Sequence, residues 1–234
     1  MQLSTRDVSA ALDVTETTVI RWIRQRGLPA RHVAGQYRFH RAELLEWATV
    51  NGVKVRADLF DRFDDDEEPP PNLADALERG GIFYQLRDTN RDRAIGAMVE
   101  VLPLPADIDR SLLLRLFLAR EDAASTGVGE GIALPHVRNP IVLHVPRPMV
   151  TLCFLEKPVD FGAIDDQPVH TLFAAISPTT REHLQLLARI AYALHDREFK
   201  AAVTSQAPAE VILREARRVD AALADRALVG KAAQ

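Results

Sequence analysis

Apolar residues recur three and four positions apart in two short stretches at the start of the chain. Val8, Ala11 and Leu12 share one side of a helix that Ser4 is placed to cap, and a turn follows at Asp13-Val14. Thr15 restarts the pattern, with Val19, Trp22 and Ile23 at helical spacing and Gly27 as terminator, which predicts a second helix over Thr15 to Arg26. Its polar face carries Glu16, Thr17, Thr18, Arg21, Arg24 and Gln25, side chains that can reach base edges or phosphates in a major groove. Pro29 to Phe39 reads as two short strand-like runs around a glycine turn, a winged hairpin closed by a helix from Arg41 to Ala48.

Farther on, Leu73 to Arg79, Arg91 to Leu102 and the strongly apolar Ser111 to Arg120 read as helices. At Glu121 the pattern changes. Gly127, Gly129 and Gly131 stand at alternate positions, and the apolar run Ile132-Ala133-Leu134 stops at Pro135-His136. Such glycine spacing lets a backbone fold tightly around a small anion or a buried ring. Strands are expected at Met149 to Leu155 and Val169 to Ile176, then a helix from Thr180 to His195 with Leu184, Leu187, Ala188, Ala191 and Leu194 on one face. Its polar first turn, with Glu182 and His183, is free to point into a site. The fold class this order implies is α+β: a small helical and hairpin module, then a larger sandwich of a mixed sheet flanked by helices.

Composition narrows the picture. The 234 residues are 47% hydrophobic and 26% charged, the balance of a globular protein and not of a disordered one. The longest apolar runs are broken at Arg115 and Arg120, so no membrane segment is expected. Met1 to Asp7 has neither the basic nor the apolar region of a signal peptide, and the single Cys153 has no partner for an internal disulfide, so the expected setting is cytoplasmic. One cysteine excludes Cys-based zinc clusters, and the seven histidines lack zinc-protease spacing; neither metal nor cofactor is expected.

The net charge of −4 hides an asymmetry. Residues 1–56 hold nine Lys/Arg against five Asp/Glu, a balance of +4, whereas 57–71 hold one against seven, or −6. That acidic stretch ends in Pro69-Pro70-Pro71, which no helix continues, and it reads as an extended linker. The expected division is a first domain over 1–56, the linker at 57–71, a second domain over 72–218, and an Ala-rich tail over 219–234 read as a fraying helix.

The first domain resembles the excisionase-like branch of the MerR-type winged helix-turn-helix family. The resemblance rests on Leu3-Ser4-Thr5, Val14, Thr17-Thr18-Val19, Trp22-Ile23, Gly27-Leu28-Pro29-Ala30, Tyr37-Arg38-Phe39, Glu43-Leu44 and Trp47. It implies that the Thr15 to Arg26 helix reads the major groove while Arg31, Gln36 and Arg38 on the wing meet backbone or minor groove. A positive balance suits phosphate contacts, and a module this small calls for a homodimer on a two-fold site to bind DNA tightly.

The second domain resembles the fructose, mannitol and nitrogen-regulatory type of enzyme IIA from the bacterial phosphoenolpyruvate-dependent phosphotransferase system, over about 73–218. Glu121, Val128-Gly129, Ile132-Ala133-Leu134-Pro135 and His136 match its phosphorylation-site signature, supported by Arg120-Glu121, Ser125-Thr126-Gly127, Pro158-Val159-Asp160-Phe161, Ile164-Asp165, Pro168-Val169 and Glu182-His183-Leu184. The resemblance implies an enzyme IIA-type sandwich in which His136 takes the phosphoryl group from an HPr-type phosphocarrier. It also implies that His183 hydrogen-bonds that group, with Ser125, Thr126 and Arg138 as helpers. The family usually places a small residue after the histidine, and here Val137 stands. A β-branched side chain there is expected to tighten the pocket, alter its backbone angles or hinder a docking donor.

The chemistry suits the residues. Neutral imidazole is a nucleophile near neutral pH and can accept a phosphoryl group through one ring nitrogen while a hydrogen bond fixes the other. The expected protein is a DNA-binding regulator whose IIA-like domain is phosphorylated on His136. Two rivals stand beside it: a IIA-like docking or dimerisation module without phosphotransfer, and a phosphocarrier whose first domain binds protein.

Overall fold

The side chains that cap the helices set where each one begins. In the computed structural model, which describes residues 2–33, 35–51, 53, 55, 70–87, 90–137, 145–163 and 165–232, the chain divides into two compact units, residues 1–68 and 69–234. Within the expected linker, 57–69 lie outside the described residues.

The first unit runs β1 (Gln2–Ser4), α1 (Thr5–Ala11), α2 (Glu16–Gln25), β2 (Arg31–Val33), β3 (Gln36–His40) and α3 (Arg41–Val50). Ser4 and Asp7 form a reciprocal capping box at α1, and Thr15 accepts the Thr18 N–H at the start of α2. Asp13, with φ 52°, makes the tight turn between them, and Gly27, with φ 65°, closes α2. The strands pair antiparallel in the order β1-β3-β2, so the segment before the first cap adds a strand the hydrophobic pattern does not announce. Leu3, Val8, Val19, Phe39, Leu44 and Trp47 are among the residues of one small core. The indole N–H of Trp47 donates to the Arg26 carbonyl at 2.8 Å, and its ring lies 5.3 Å from that of Trp22.

The second unit runs α4 (Leu73–Gly80), β4 (Ile82–Leu86), α5 (Arg91–Val101), α6 (Arg110–Ala123), β5 (Gly127–Gly129), β6 (Ile132–Ala133), β7 (Met149–Val159), β8 (Val169–Ile176), α7 (Thr180–His195), α8 (Arg197–Thr204) and α9 (Ala209–Ala232). Its sheet has the order β4-β7-β8-β6-β5 and is mixed: β7/β8 and β5/β6 are antiparallel, β4/β7 and β6/β8 parallel. Successive side chains of a strand face opposite ways, so each central strand feeds two cores. Val150, Leu152, Phe154, Ile132, Leu134, Phe173 and Ala175 pack with α4, α7, α8 and α9. Cys153, Leu155, Ala133, Leu172, Ala174 and Ile176 pack with α5 and α6 on the other side. Burial on that second face pushes the Cys153 thiol up to about 12, so it stays protonated and inert near neutral pH.

The last helix does not stop at residue 218. Val219 and Asp220 are buried, and the Asp220 carboxylate accepts the N–H groups of Leu73 and Ala74 while pairing with Arg189 at 2.9 Å. A residue from the expected tail thus caps the first helix of the domain, a bond no local pattern encodes. Among the described residues no helix is long and apolar enough to cross a membrane.

At Gly80 the end of α4 lies directly on β7, where a Cβ would overlap the Val150 carbonyl, and Thr151 Oγ1–H donates to the Gly80 carbonyl at 2.8 Å. Gly80→Ala should therefore lower stability by about 3 kcal/mol in a urea titration, because backbone and not a pliable side chain must yield. An unchanged midpoint would refute this packing.

Candidate functional site

His136 follows β6 in extended chain and bridges Ala175 of β8, which fixes its backbone beside the sheet. Only 4% of it is exposed. Its Nδ1 lies 2.7 Å from the carbonyl oxygen of Leu134. A carbonyl can only accept, so Nδ1 carries a proton, and Nε2, which accepts from an arginine N–H, keeps its lone pair.

Among the described residues, Arg120 and His183 lie against this ring. Arg120, in the last turn of α6 and 4% exposed, donates from Nε–H to His136 Nε2 at 3.3 Å and from a terminal N–H to the Ala124 carbonyl at 2.7 Å. His183, in the first turn of α7 and 3% exposed, sets its ring centroid 5.4 Å from that of His136 with 46° between the planes. Thr179 caps α7, accepting the Glu182 N–H at 3.1 Å and donating its hydroxyl to the Glu182 carboxylate at 2.7 Å, so the turn that carries His183 is held at its root.

The sequence singles out His136 and His183 but gives Arg120 no role at the ring. A signal was present: Leu113, Phe117 and Arg120 fall on the one buried stripe of α6 at helical spacing, so the pattern places a guanidinium on an inward face. A buried Arg needs partners, and here they include an imidazole and a carbonyl.

Ser125 and Thr126 are close in sequence to this cluster, yet their hydroxyl protons are engaged elsewhere. Ser125 Oγ–H donates to the Phe161 carbonyl at 2.7 Å and its oxygen accepts the Gly127 N–H at 3.0 Å. Thr126 donates both its backbone N–H, at 2.9 Å, and its hydroxyl to the Glu121 carboxylate. Arg138 lies outside the described residues.

The glycines work away from His136. Gly129, Glu130 and Gly131, with φ of 92°, 52° and 74°, form the β5–β6 turn, where the Asp165 carboxylate accepts the Glu130 N–H at 2.7 Å. That bond holds the Asp165 carboxyl below its ordinary range. Gly131 leaves room for the His170 imidazole, which a Cβ would strike. The tightly wrapped ring is therefore His170, whose burial lowers its pKa, and not the nucleophile candidate.

In the first unit, Thr17, Arg21 and Arg24 stand exposed on α2, whereas Thr18 is half-buried with its hydroxyl 3.0 Å from that of Thr15 at the cap. Arg31 and Gln36 are exposed on the hairpin, and Arg38 donates to the Gln36 side chain at 2.8 Å. Gly35, with φ 79°, makes the hairpin turn.

Val137 corrects an expectation. One residue along an extended chain from His136, its side chain points to the opposite face of the sheet, where it is 1% exposed in the α5–α6 core. Its side chain is thus turned into that core and away from the His136 ring. Val137→Gly is expected to cost about 2 kcal/mol or more in chemical denaturation, through lost burial and added backbone freedom. A stability equal to the native chain would show that this side chain faces the site after all.

Comparison with known proteins shows what each unit is similar to. The chain matches the family model "Phosphoenolpyruvate-dependent sugar phosphotransferase system, EIIA 2" over residues 76–215 and a helix-turn-helix domain model over residues 3–50. A nitrogen regulatory protein of Klebsiella oxytoca is 32% identical over 146 residues, 60% of this chain and 89% of that one. One from Pseudomonas aeruginosa is 36% identical over 108 residues, 45% and 68% of the two chains. In fold, the crystal structure of nitrogen regulatory protein IIA-Ntr from Neisseria meningitidis superposes with a TM-score of 0.54 at 23% identity, covering 61% of this chain and 97% of that one. With the EIIA 2 model matched over most of the second unit, the chain belongs to the EIIA 2 family of the phosphoenolpyruvate-dependent sugar phosphotransferase system, joined to a helix-turn-helix domain.

Proposed function

We propose that this protein is a DNA-binding regulator whose state is set by phosphorylation of His136 from a phosphohistidine carrier of the HPr type. The observation that carries this reading is the Nδ1 contact to Leu134, which leaves the Nε2 lone pair as the nucleophile. The lone pair attacks phosphorus in line, the new N–P bond forms as the donor's N–P bond breaks, and the donor imidazole leaves with the electron pair. No water enters and the phosphoryl group is conserved. The ring gathers positive charge during attack, and the Leu134 carbonyl, already aligned with Nδ1–H, stabilises it without reorganisation.

Phosphoryl transfer depends on positioning and charge stabilisation more than on covalent help. Arg120, which points at the lone pair in the free protein, faces the phosphoryl oxygens once that lone pair is used. His183 packs against the same ring, with its centroid 5.4 Å away. Ser125 and Thr126 shape the loop in this reading and do not donate to the phosphoryl group. The docking-only alternative drew on Val137, which the fold sends into a core. On α2, Thr17, Arg21 and Arg24 are the groups offered to DNA, with Arg31, Gln36 and Arg38 on the wing, in a homodimer on a two-fold site. Phosphorylation adds about two negative charges to the second unit and so biases how the chain docks on DNA or on a partner.

Incubation with phosphoenolpyruvate, enzyme I and an HPr-type carrier should place an acid-labile, base-stable phosphate on the native chain and none on His136→Ala. Arg120→Ala should slow incorporation about 100-fold, the usual cost of removing one charge-stabilising donor. Label retained on His136→Ala would sink the assignment. Separately, binding of the full chain to duplex DNA should weaken steeply with salt. The double variant Arg21→Ala/Arg24→Ala should flatten the log–log slope by about 2, one for each lost phosphate contact. Salt-independent binding, or none at low salt, would overturn the DNA half of the proposal.

A further inference from the structure

The buried acid next to Arg120 has a specific set of bonds. Glu121 is 2% exposed, in the last turn of α6, and both of its oxygens are acceptors for Thr126: one takes the backbone N–H at 2.9 Å and the other the hydroxyl. The Thr126 carbonyl in turn accepts the N–H of Leu134 at 3.0 Å. Leu134 is the residue whose carbonyl holds His136 Nδ1 at 2.7 Å. Three bonded links therefore run from Glu121 to the proton that decides which nitrogen of His136 is the nucleophile.

The same carboxylate acts on the other partner of the ring. Arg120 is anchored by the Ala124 carbonyl at 2.7 Å, and Ala124 belongs to the short loop that Glu121 closes by holding Thr126. Two consecutive side chains on α6 thus clip one loop from both ends, Arg120 at Ala124 and Glu121 at Thr126. Without the carboxylate, two donors of Thr126 would lie buried and unpaired, and the loop would shift to satisfy them. Both supports of His136 would move with it.

We infer that Glu121 is a positioning residue that fixes the ring tautomer of His136 and the aim of Arg120. Its consequence for activity rests on the reading of His136 as phosphoryl acceptor, but its effect on the ring does not. The bond is mechanical: Glu121 touches neither the nucleophile nor a phosphoryl group. The Glu121 and Thr126 positions of the sequence thereby gain a shared task.

The test uses the full chain with 15N-labelled histidine, read by two-bond proton–nitrogen NMR and by the rate of phosphate incorporation. The native protein should show His136 as a single Nδ1–H tautomer. In Glu121→Ala the two ring nitrogens should move towards averaged shifts, and incorporation should slow at least ten-fold. Glu121→Gln keeps an oxygen for the Thr126 N–H and should restore the native shifts, with a rate within about three-fold of native. A folded Glu121→Ala protein with native His136 shifts and a native rate overturns the inference, as does one that only melts earlier. Should Glu121→Ala fail to fold, Thr126→Val deletes the hydroxyl link alone. A displaced His136 shift with a two- to three-fold slower rate then supports the inference, and unchanged values overturn it. If the native chain takes no phosphate, the phosphoacceptor reading fails by itself, and the nitrogen shifts still decide the part of Glu121.

Discussion

The hydrogen bond from His136 Nδ1 to the Leu134 carbonyl is short in sequence and long in consequence. It spans two residues, and it needs them in extended chain, with the proline between them, beside a strand that holds the backbone in place. The parallel bridge to Ala175 supplies that strand, β8 is buried on both faces, and the helices on either side exist to cover those faces. A histidine in a flexible loop would exchange tautomers freely. Here the fold commits Nδ1 to the Leu134 carbonyl, and on the proposed function Nε2 is left for chemistry.

Strand alternation gives the site its second property, which is separation of tasks. Leu134 and Val137 fall in different cores because they lie on opposite sides of an extended segment. His136 can thus be followed by a bulky apolar residue at no cost to its surroundings. The same alternation puts α7 and its His183 on one side of the sheet and α6 mainly on the other, with Arg120 reaching the ring from the end of α6. Two helices from opposite layers meet at one imidazole because β6 is only two residues long and ends there.

Much of this was legible in the sequence. Caps at Ser4, Thr15 and the first turn of α7 are local bonds with local signatures, and so are the apolar periods of the helices. His136 and His183 stood out through the resemblance to the enzyme IIA signature, the apolar run and the amphipathic helix that carry them being weak signals alone. Other features depend on distant pairing. The β4 strand is short and mixed in polarity and is specified by its parallel neighbour β7, not by its own alternation. Asp220 caps a helix about 146 residues earlier, which no window of sequence can display. The hydroxyls of Ser125 and Thr126 were offered as phosphoryl helpers by the family resemblance. Only the location of Phe161 and Glu121 reveals where those protons go. The glycines announced a tight backbone correctly, but the ring inside it belongs to His170.

Nε2 of His136 is the proposed phosphoryl acceptor. The most direct measurement is phosphorus–nitrogen correlation NMR on the phosphorylated, 15N-histidine-labelled full chain, which identifies the bonded ring nitrogen. A single N–P coupling at His136 Nε2, with Nδ1 still protonated, is the predicted result. Coupling at Nδ1, or to His183, would contradict it, because the Leu134 carbonyl would then no longer be what selects the nucleophile.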